Sequence, residues 1–459
     1  MGTKREKMRS LFIAIGDCSV VPLSYLAAYF IRFGLIRGFH DKFPLIFIII
    51  LTLSYVIVFY FFDLYASTKR YNTASSLWQV ILAVATSAIL VSLLKYIFYL
   101  FPIGRGILII ANIIIIISVF AWRNCCYYLF KYFTKPRSVI ILGTGKGAES
   151  LGKIIESNRQ ELKLVGYLAN QEKEASIREI RNHLNVIGSI IDLTKVIEDH
   201  PVDVIILAET SRLSDQITKS LLEAKLKAIE VIDLSEMYQR LKGRIPVRLI
   251  EDENWFLKTK GFNAVSNLFI GKIKRFLDFS TSALVLLLSL PLWPFIALLI
   301  KIDSKGHVFY SQNRVGQHES IFSLHKFRSM IEGAEEDEPL WAKKNDQRIT
   351  RIGWFLRRLH LDELPQLWNV LRGEMSLVGP RPERPEFVGA LKSQIPYYSL
   401  RHFVKPGLTG WAQINYPYAA SMEDSREKLE YDLYYISHMS LLFDLKMLIK
   451  TGQILFIGR

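Results

Sequence analysis

The stretch from Leu361 to Phe387 reads LDELPQLWNVLRGEMSLVGPRPERPEF. Two carboxylates, Asp362 and Glu363, stand side by side ahead of Pro365. Arg357 and Arg358 precede them; Arg372, Arg381 and Arg384 follow. Adjacent acids can divide labour at one site, one attacking an electrophile while its neighbour holds a metal. Nearby guanidinium groups keep the attacking carboxylate ionised and bind phosphate oxygens. Helix capping explains the pair only in part. An N-cap aspartate accepts from N2 or N3, and with Asp362 as cap the N3 residue is Pro365, which has no N–H. "PQLWNVLRG" then reads as a short helix stopped by Gly373, with the acids at its electropositive N-terminus.

The surroundings look equipped for a diphosphate. Arg381 and Arg384 flank Pro382 in "GPRPERP", a stiff segment that orders its guanidinium groups at low entropic cost. "NRVG" carries Arg314, and "LHKFRSM" carries Lys326 and Arg328. Each of these charges alone better suits a surface or lipid-facing position; their recurrence beside turns makes phosphate contact an equal alternative. His325, His360, His402 and His438 are scattered, with no His-Glu-x-x-His pattern or Cys/His cluster. Mg²⁺, held by a carboxylate and substrate phosphates, is therefore the expected metal.

These residues need a scaffold, and the composition describes one. Of 459 residues half are hydrophobic and 12% aromatic, and the formal charge is +15. That is too apolar for an ordinary soluble enzyme and favours anionic lipid or phosphorylated substrates over nucleic acid. Cys18, Cys125 and Cys126 have no metal-site spacing, so a reduced cytosolic face without disulfides is expected. Apolar stretches near 10–32, 43–65, 78–102 and 106–130 are long enough to span a bilayer, at roughly 20 residues each. Basic clusters before the first (Lys4, Arg5, Lys7, Arg9) and at the end of the last (Arg123, Lys131, Lys135, Arg137) put both ends in the cytoplasm. Arg32, Arg37 and Lys42 weaken that signal. Asp17, Asp63 and Lys95, in or near the spans, mark either function or helix pairing and snorkelling.

From Ser138, "SVIILGTGKGAESLGKII" reads as strand, glycine turn and helix. Gly143, Gly145 and Ala148 fit G-x-G-x-x-G/A, the turn that sets a pyrophosphate on a helix N-terminus. Strand patterns alternating with helices then argue for a parallel α/β sheet. No acid ends the second strand (Tyr167-Leu168-Ala169-Asn170) to hold a ribose, so the turn serves either a nucleotide or packing alone. Tyr238 and Lys242 have the Y-x-x-x-K spacing of short-chain dehydrogenases, closer to the glycine turn than that fold places it.

A fifth apolar run, Phe279 to Ile300, is interrupted by Pro291 and Pro294, with Ser289 placed to help bend the chain. Both flanks are basic, so a broken helix that enters and leaves by one face is expected rather than a span. The final segment, "SLLFDLKMLIKTGQILFIGR", is amphipathic and suits either a membrane surface or ordinary packing.

Residues 272–459 resemble the bacterial sugar transferase family, the monotopic phosphoglycosyl transferases. The likeness lies in Lys274-Arg275-x-x-Asp278, "VFYSQNRVG", "FSLHKFRSM", "DQRITRIGWFLRRLHLDELPQLWNVLRGEMSLVGPRPERPEF", "KPGLTGWAQINY" and "YDLYYI". The layout resembles the long-form members. The resemblance implies a four-helix transmembrane bundle (1–135), a Rossmann-like domain (136–255), a linker (256–271) and an α/β-containing catalytic domain (272–459). The last would carry a re-entrant helix at about 279–300 and interfacial amphipathic helices. It implies an undecaprenyl-phosphate hexose-1-phosphate transferase at the cytoplasmic face of the bacterial inner membrane, acting on a UDP-sugar and a polyprenyl phosphate. Asp362 matches the nucleophile, Glu363 the Mg²⁺ ligand, and Arg381 the phosphate-binding Pro-Arg-Pro. Lys274, Arg275 and Asp278 open the re-entrant helix, and Ser289 approximates its Ser-Pro break, although Leu290 intervenes before Pro291. Gly407, Thr409 and Trp411 form either a nucleotide loop or a turn with a packed strand. A homodimer fits the layout. Two other classes remain to be distinguished: a membrane-bound NAD-dependent epimerase or dehydratase using Tyr238, and a non-enzymatic polysaccharide-assembly scaffold.

Overall fold

The computed structural model describes the chain except residues 1–3, 35–44, 66–73, 99–103, 134, 158–160, 170–183, 209–213, 250–261, 263–267, 334–345, 417–420 and 458–459. Asn170, Arg37, Lys42 and most of the expected linker lie outside the described residues. The chain divides into two compact units, 1–136 and 137–459.

The first unit holds α1 (Lys4–Phe33), α2 (Leu45–Phe61), α3 (Ala74–Phe98) and α4 (Arg105–Phe133). Three contain windows long and apolar enough to cross a membrane; α2, at 17 residues, is shorter but equally apolar. At 1.5 Å per residue it reaches about 25 Å, close to the hydrocarbon thickness. Outward residues recur at helical spacing, as in Ile109, Ile113 and Ile117 of α4, which are all exposed. Asp17 lies wholly buried against α4, where Arg123 donates to both carboxylate oxygens at 3.0 and 2.5 Å. Tyr55 donates to Asn112 at 2.7 Å and meets Tyr25 at 3.1 Å. Asp17 thus joins helices, as unpaired charge in an apolar bundle would be costly. Asp63 sits in the turn that ends α2.

The second unit begins with β1 (Arg137–Leu142), α5 (Lys146–Ser157), β2 (Leu162–Ala169), β3 (Val186–Ser189), α6 (Leu193–Asp199), β4 (Val204–Leu207), α7 (Asp215–Leu226), β5 (Glu230–Asp233) and α8 (Leu234–Lys242). The five strands are parallel in the order β3-β2-β1-β4-β5, a doubly wound arrangement that among the described residues lacks only the sixth strand of the full dinucleotide-binding order. Val139, Ile140, Ile141 and Leu142 are almost fully buried, because both faces of β1 are covered by helices. Gly143 follows β1 with φ 115°, which glycine tolerates, and its N–H donates to Leu168 O at 2.8 Å. Ala148 is buried where α5 packs on the sheet. Tyr238 is also core: it is 5% exposed, and its hydroxyl accepts from Arg244 Nε at 3.1 Å. This corrects the dehydrogenase-like reading of Tyr238 and Lys242, because the phenol faces a guanidinium inside the protein instead of a cleft.

The C-terminal part follows: α9 (Leu268–Ser289), α10 (Trp293–Asp303), β6 (Phe309–Val315), β7 (Ile321–Phe327), α11 (Arg351–Arg358), α12 (Gln366–Arg372), β8 (Ser376–Val378), α13 (Pro385–Gln394), β9 (Gly407–Thr409), α14 (Trp411–Asn415), α15 (Met422–Ser437) and α16 (Leu441–Ile457). Its core already includes Ile245 and Val247, so the chain joins this body before the expected linker.

Between α9 and α10, Leu290–Leu292 tightens into one 3₁₀ turn around Pro291. Ser289 Oγ donates to Leu286 O at 2.9 Å and accepts from Trp293 Nε1 at 3.3 Å, satisfying a carbonyl at the break. Both halves are tied to the same body. In α9, Lys274 Nζ donates to Val378 O at 3.0 Å and Asp444 Oδ2 at 2.6 Å. Arg275 donates to Val370 O and Leu371 O at 2.5 and 2.6 Å, and Asp278 Oδ1 accepts from Leu377 N at 3.1 Å. Beyond the break, Ile296 and Ile300 pack on Phe327 and Leu356, and Asp303 Oδ2 accepts from Ile352 N at 2.8 Å. Outward-facing Phe279, Leu287, Leu288, Phe295 and Leu298 remain exposed.

Candidate active site

Strands β6 and β7 form an antiparallel hairpin pairing Tyr310 with Lys326, Gln312 with Leu324 and Arg314 with Phe322. Alternation puts Tyr310, Gln312, Arg314, Leu324 and Lys326 on one face, and that face lines a cavity of about 870 Å³. Asp362 and Glu363 line it as well, together with Arg381 and Arg384. The acids occupy a 3₁₀ turn, Leu361–Glu363, entered through His360 at φ 53°. They therefore precede the helix instead of capping it; α12 starts at Gln366 and stops at Gly373, whose φ of 85° suits its role.

The two carboxylates have opposite environments. Arg381 Nη2 donates to Glu363 Oε1 at 2.6 Å, and Lys326 Nζ lies 3.6 Å from the same oxygen. Burial alone would push the Glu363 carboxyl up, but Arg381 and then Lys326 pull harder and hold it well below the usual carboxylate range. Asp362 is 5% exposed, and burial followed by repulsion from Glu363 pushes its carboxyl up. One acid is thus fixed as a permanent anion and the other is a poorly solvated, more basic carboxylate. Burial lowers the Lys326 ammonium to about 8 and the Arg314 guanidinium to about 10.

The Pro-rich segment of the site has no regular secondary structure but is held at every carbonyl from 380 to 383. Pro380 O accepts from Gly407 N at 2.8 Å, Arg381 O from Arg401 Nη2 at 2.8 Å, Pro382 O from Arg314 Nη1 at 3.1 Å and Glu383 O from Val315 N at 2.9 Å. Arg314 therefore braces the segment as well as facing the cavity. Arg384 is buried with its guanidinium 5.9 Å from the Phe387 ring. Arg328 lines the cavity, yet its Nη2 is spent on Ser304 O and Oγ at 2.8 and 2.9 Å, where it ties the hairpin to the end of α10.

Other site candidates fall elsewhere. Trp411 donates to Gly243 O at 2.7 Å and stacks near Tyr434, and Thr409 bonds Thr451 at 2.6 Å. Gly407 lies in β9, pressed against Gly379, where an added Cβ would collide with the Gly379 and Thr409 backbone. None of the three lines the cavity. The turn-and-strand reading of this segment replaces the nucleotide loop, because its apolar ring faces the core. Gly407→Ala is accordingly expected to cost about 1–3 kcal/mol by overpacking. A thermal melt checks this.

Several contributors escaped sequence reasoning. Asn369, fully buried, donates to Ser323 O and Glu374 Oε2, both at 2.7 Å, and accepts from His325 N at 3.2 Å, clamping α12 onto β7. Arg401 and Lys428 lie far along the chain from the acids, and no local pattern marks them.

Among the described residues no three His, Cys, Asp or Glu cluster as a metal site. Mg²⁺ needs less, since it keeps waters and takes one or two carboxylates plus substrate phosphates. Glu363 fits that donor set: it is firmly ionised, and among the described residues its Oε2 has only His360 Nδ1 as an ionic partner, at 3.9 Å.

Residues 269–458 match the model of the bacterial sugar transferase family, and residues 60–232 match a CoA-binding domain. A UDP-N-acetylgalactosamine-undecaprenyl-phosphate N-acetylgalactosaminephosphotransferase of Aeromonas hydrophila is 38% identical over 54% of this chain and 57% of its own length. An undecaprenyl-phosphate glucose phosphotransferase of Komagataeibacter xylinus is 33% identical over 69% of this chain and 58% of its own. The match therefore spans a little over half the length of these two curated relatives. An exopolysaccharide production protein of Rhizobium leguminosarum is 40% identical over 39% of this chain, which is 92% of that relative. The matched segment contains the acidic pair, the hairpin and the pinned Pro-Arg-Pro run, and on these grounds the chain belongs to the bacterial sugar transferase family.

Proposed function

We propose that the protein transfers a hexose-1-phosphate from a UDP-sugar to undecaprenyl phosphate, in two displacements through Asp362. In the first, an Asp362 carboxylate oxygen attacks the β-phosphorus; the bond to the UMP oxygen breaks and UMP leaves. In the second, an oxygen of the lipid phosphate attacks the aspartyl-bound phosphorus. The acyl-phosphate bond breaks, the carboxylate is freed, and a polyprenyl-diphosphate sugar departs. The observation that carries this reading is the divergence of the acids: a buried, basic Asp362 beside a Glu363 locked to Arg381, both in one cavity. Phosphoryl transfer asks chiefly for position and charge neutralisation, which Arg381, Lys326 and Arg314 supply. Glu363 and the substrate diphosphate would hold Mg²⁺, which when bound neutralises charge on the phosphates.

The lipid acceptor explains the broken helix. Both halves of α9–α10 bond to one body while their outer faces stay apolar, as a helix does that dips into a bilayer and returns by the same face. The catalytic domain would then sit at the cytoplasmic face of the inner membrane, where the polyprenyl phosphate head lies. The relatives divide between glucose and N-acetylgalactosamine donors. Screening UDP-glucose, UDP-galactose and UDP-N-acetylgalactosamine for UMP release tests the reading, and no release from any UDP-sugar would defeat it.

The pH profile follows from the same groups. Asp362 must be ionised to attack, so kcat/KM falls on the acid side above the ordinary aspartate range of about 3.9. Lys326 must be charged to meet phosphate, so kcat/KM falls again as pH rises through about 8. In Lys326→Arg the alkaline limb is expected to move well above pH 8, because a guanidinium gives up its proton at higher pH than an ammonium in the same surroundings.

A further inference from the structure

Helix α15 carries different chemistry on two faces. Residues 427, 430, 431 and 434 recur every three or four positions and share one side. That side meets the end of the Rossmann-like domain. Arg244, just past α8, donates from Nη1 to Glu427 Oε1 at 2.8 Å, and its Nε lies 3.2 Å from Glu430 Oε2. Its guanidinium covers the rings of Tyr238 and Tyr431 at 5.7 and 5.6 Å. Ile245 N donates to Glu430 O at 3.0 Å, and Trp411, bonded to Gly243 O, stacks with Tyr434. The segment leaving the middle domain therefore helps fix the rotation of α15 about its axis.

Residues 425, 428 and 432 face the other way. Asp432 pairs with Arg401 at 2.9 Å, the same arginine that holds Arg381 O. Ser425 and Lys428 line the cavity. Among the described residues Lys428 has no hydrogen bond or ion pair; Glu383 and Asp432 attract its charge only at longer range, while Arg381 and Arg401 repel it. An ammonium has three donors and no acceptor, so a cavity-facing lysine without a partner among the described residues is equipped to meet an oxyanion.

We infer that Lys428 binds a phosphate group of a substrate and that Arg244 is its positioning residue, so that the middle domain acts on the active site through α15. The inference rests on the transferase reading. The oxyanion belongs either to the UDP-sugar diphosphate or to the polyprenyl phosphate, and the two half-reactions separate these.

The test uses full-length protein in nanodiscs and the UDP-sugar that the wild type turns over. Lys428→Met, Arg244→Met and the double variant are compared by kcat/KM and by single-turnover UMP release and discharge to lipid. Lys428→Met is expected to lose roughly 10- to 100-fold, the scale of a hydrogen bond to a charged group. A slowed UMP burst assigns the nucleotide phosphates; a slowed discharge assigns the lipid phosphate. Arg244→Met is expected to lose a smaller factor, and in the Lys428→Met background to lose nothing more. General destabilisation would instead multiply equally in both backgrounds, and that result overturns the positioning role. Unchanged activity in Lys428→Met overturns the binding role. If Arg244→Met does not fold, Glu427→Gln removes one bond of the same clasp from a partly exposed side chain and is read in the same two backgrounds. A wild type that releases no UMP sinks the transferase reading and this inference with it; a wild type that turns over beside indifferent variants sinks this inference alone.

Discussion

Asp362→Asn is expected to lower UMP release by at least about 10³-fold while leaving the protein more heat-stable than the wild type. The loss follows from chemistry: a carboxamide oxygen is a far weaker nucleophile than a carboxylate, and no neighbouring acid can substitute, because Glu363 is held by Arg381. The stability gain follows from electrostatics. Asp362 is buried beside another anion, and its carboxyl is raised. A carboxyl raised on folding costs the native state stability once pH exceeds its unfolded value, and the cost grows until pH passes the folded value. The neutral isostere removes it. A melting curve that rises beside a vanished turnover would mark Asp362 as a residue kept for reaction at the expense of stability.

Arg381→Met is expected to produce the second-largest effect, a fall in kcat/KM of roughly 10²- to 10³-fold. The guanidinium meets Glu363 directly and lines the cavity beside Asp362. Its removal takes away the proposed phosphate contact and also the charge that chiefly depresses the Glu363 carboxyl. The acid limb of the rate profile should therefore broaden, as Glu363 begins to take up protons nearer neutrality. The Arg381 side chain is 37% exposed, so its loss should cost less stability than the roughly 3–5 kcal/mol typical of a fully buried pair. Its main chain stays pinned by Arg401 and its neighbour by Gly407. Arg381→Lys restores charge without the planar fork and should recover only part of the activity.

The two expectations draw on features of unequal legibility. The acidic pair, the Gly373 stop and the proline break could be read locally, because each depends on residues within one or two turns of each other; the parallel sheet was legible only from strand patterns alternating with helices. Lys326 and Arg314 were legible as candidates, but their shared face is set by hairpin register. Arg401, Lys428 and Asn369 gave no signal, since a lone arginine, lysine or asparagine acquires meaning only from the distant backbone it meets. Trp411 misled for the opposite reason: an aromatic beside glycines fits a nucleotide loop, and only packing against Tyr434 and Phe443 shows otherwise. Asp17 could be flagged as costly inside a bundle, while its pairing with Arg123 depended on how α1 and α4 align. The middle domain's glycine turn was legible as a turn, and its packing role through Ala148 needed the sheet.

The central claim is that the sugar-phosphate rests on Asp362 between its two carriers. Intact-mass measurement of the purified protein with UDP-sugar and no lipid acceptor tests it most directly. The account predicts one hexose-phosphate adduct per chain, mapped by peptide analysis to Asp362, discharged on adding polyprenyl phosphate and lacking in Asp362→Asn. Turnover to lipid by a protein that never carries the adduct, or an adduct that persists in Asp362→Asn, would contradict it.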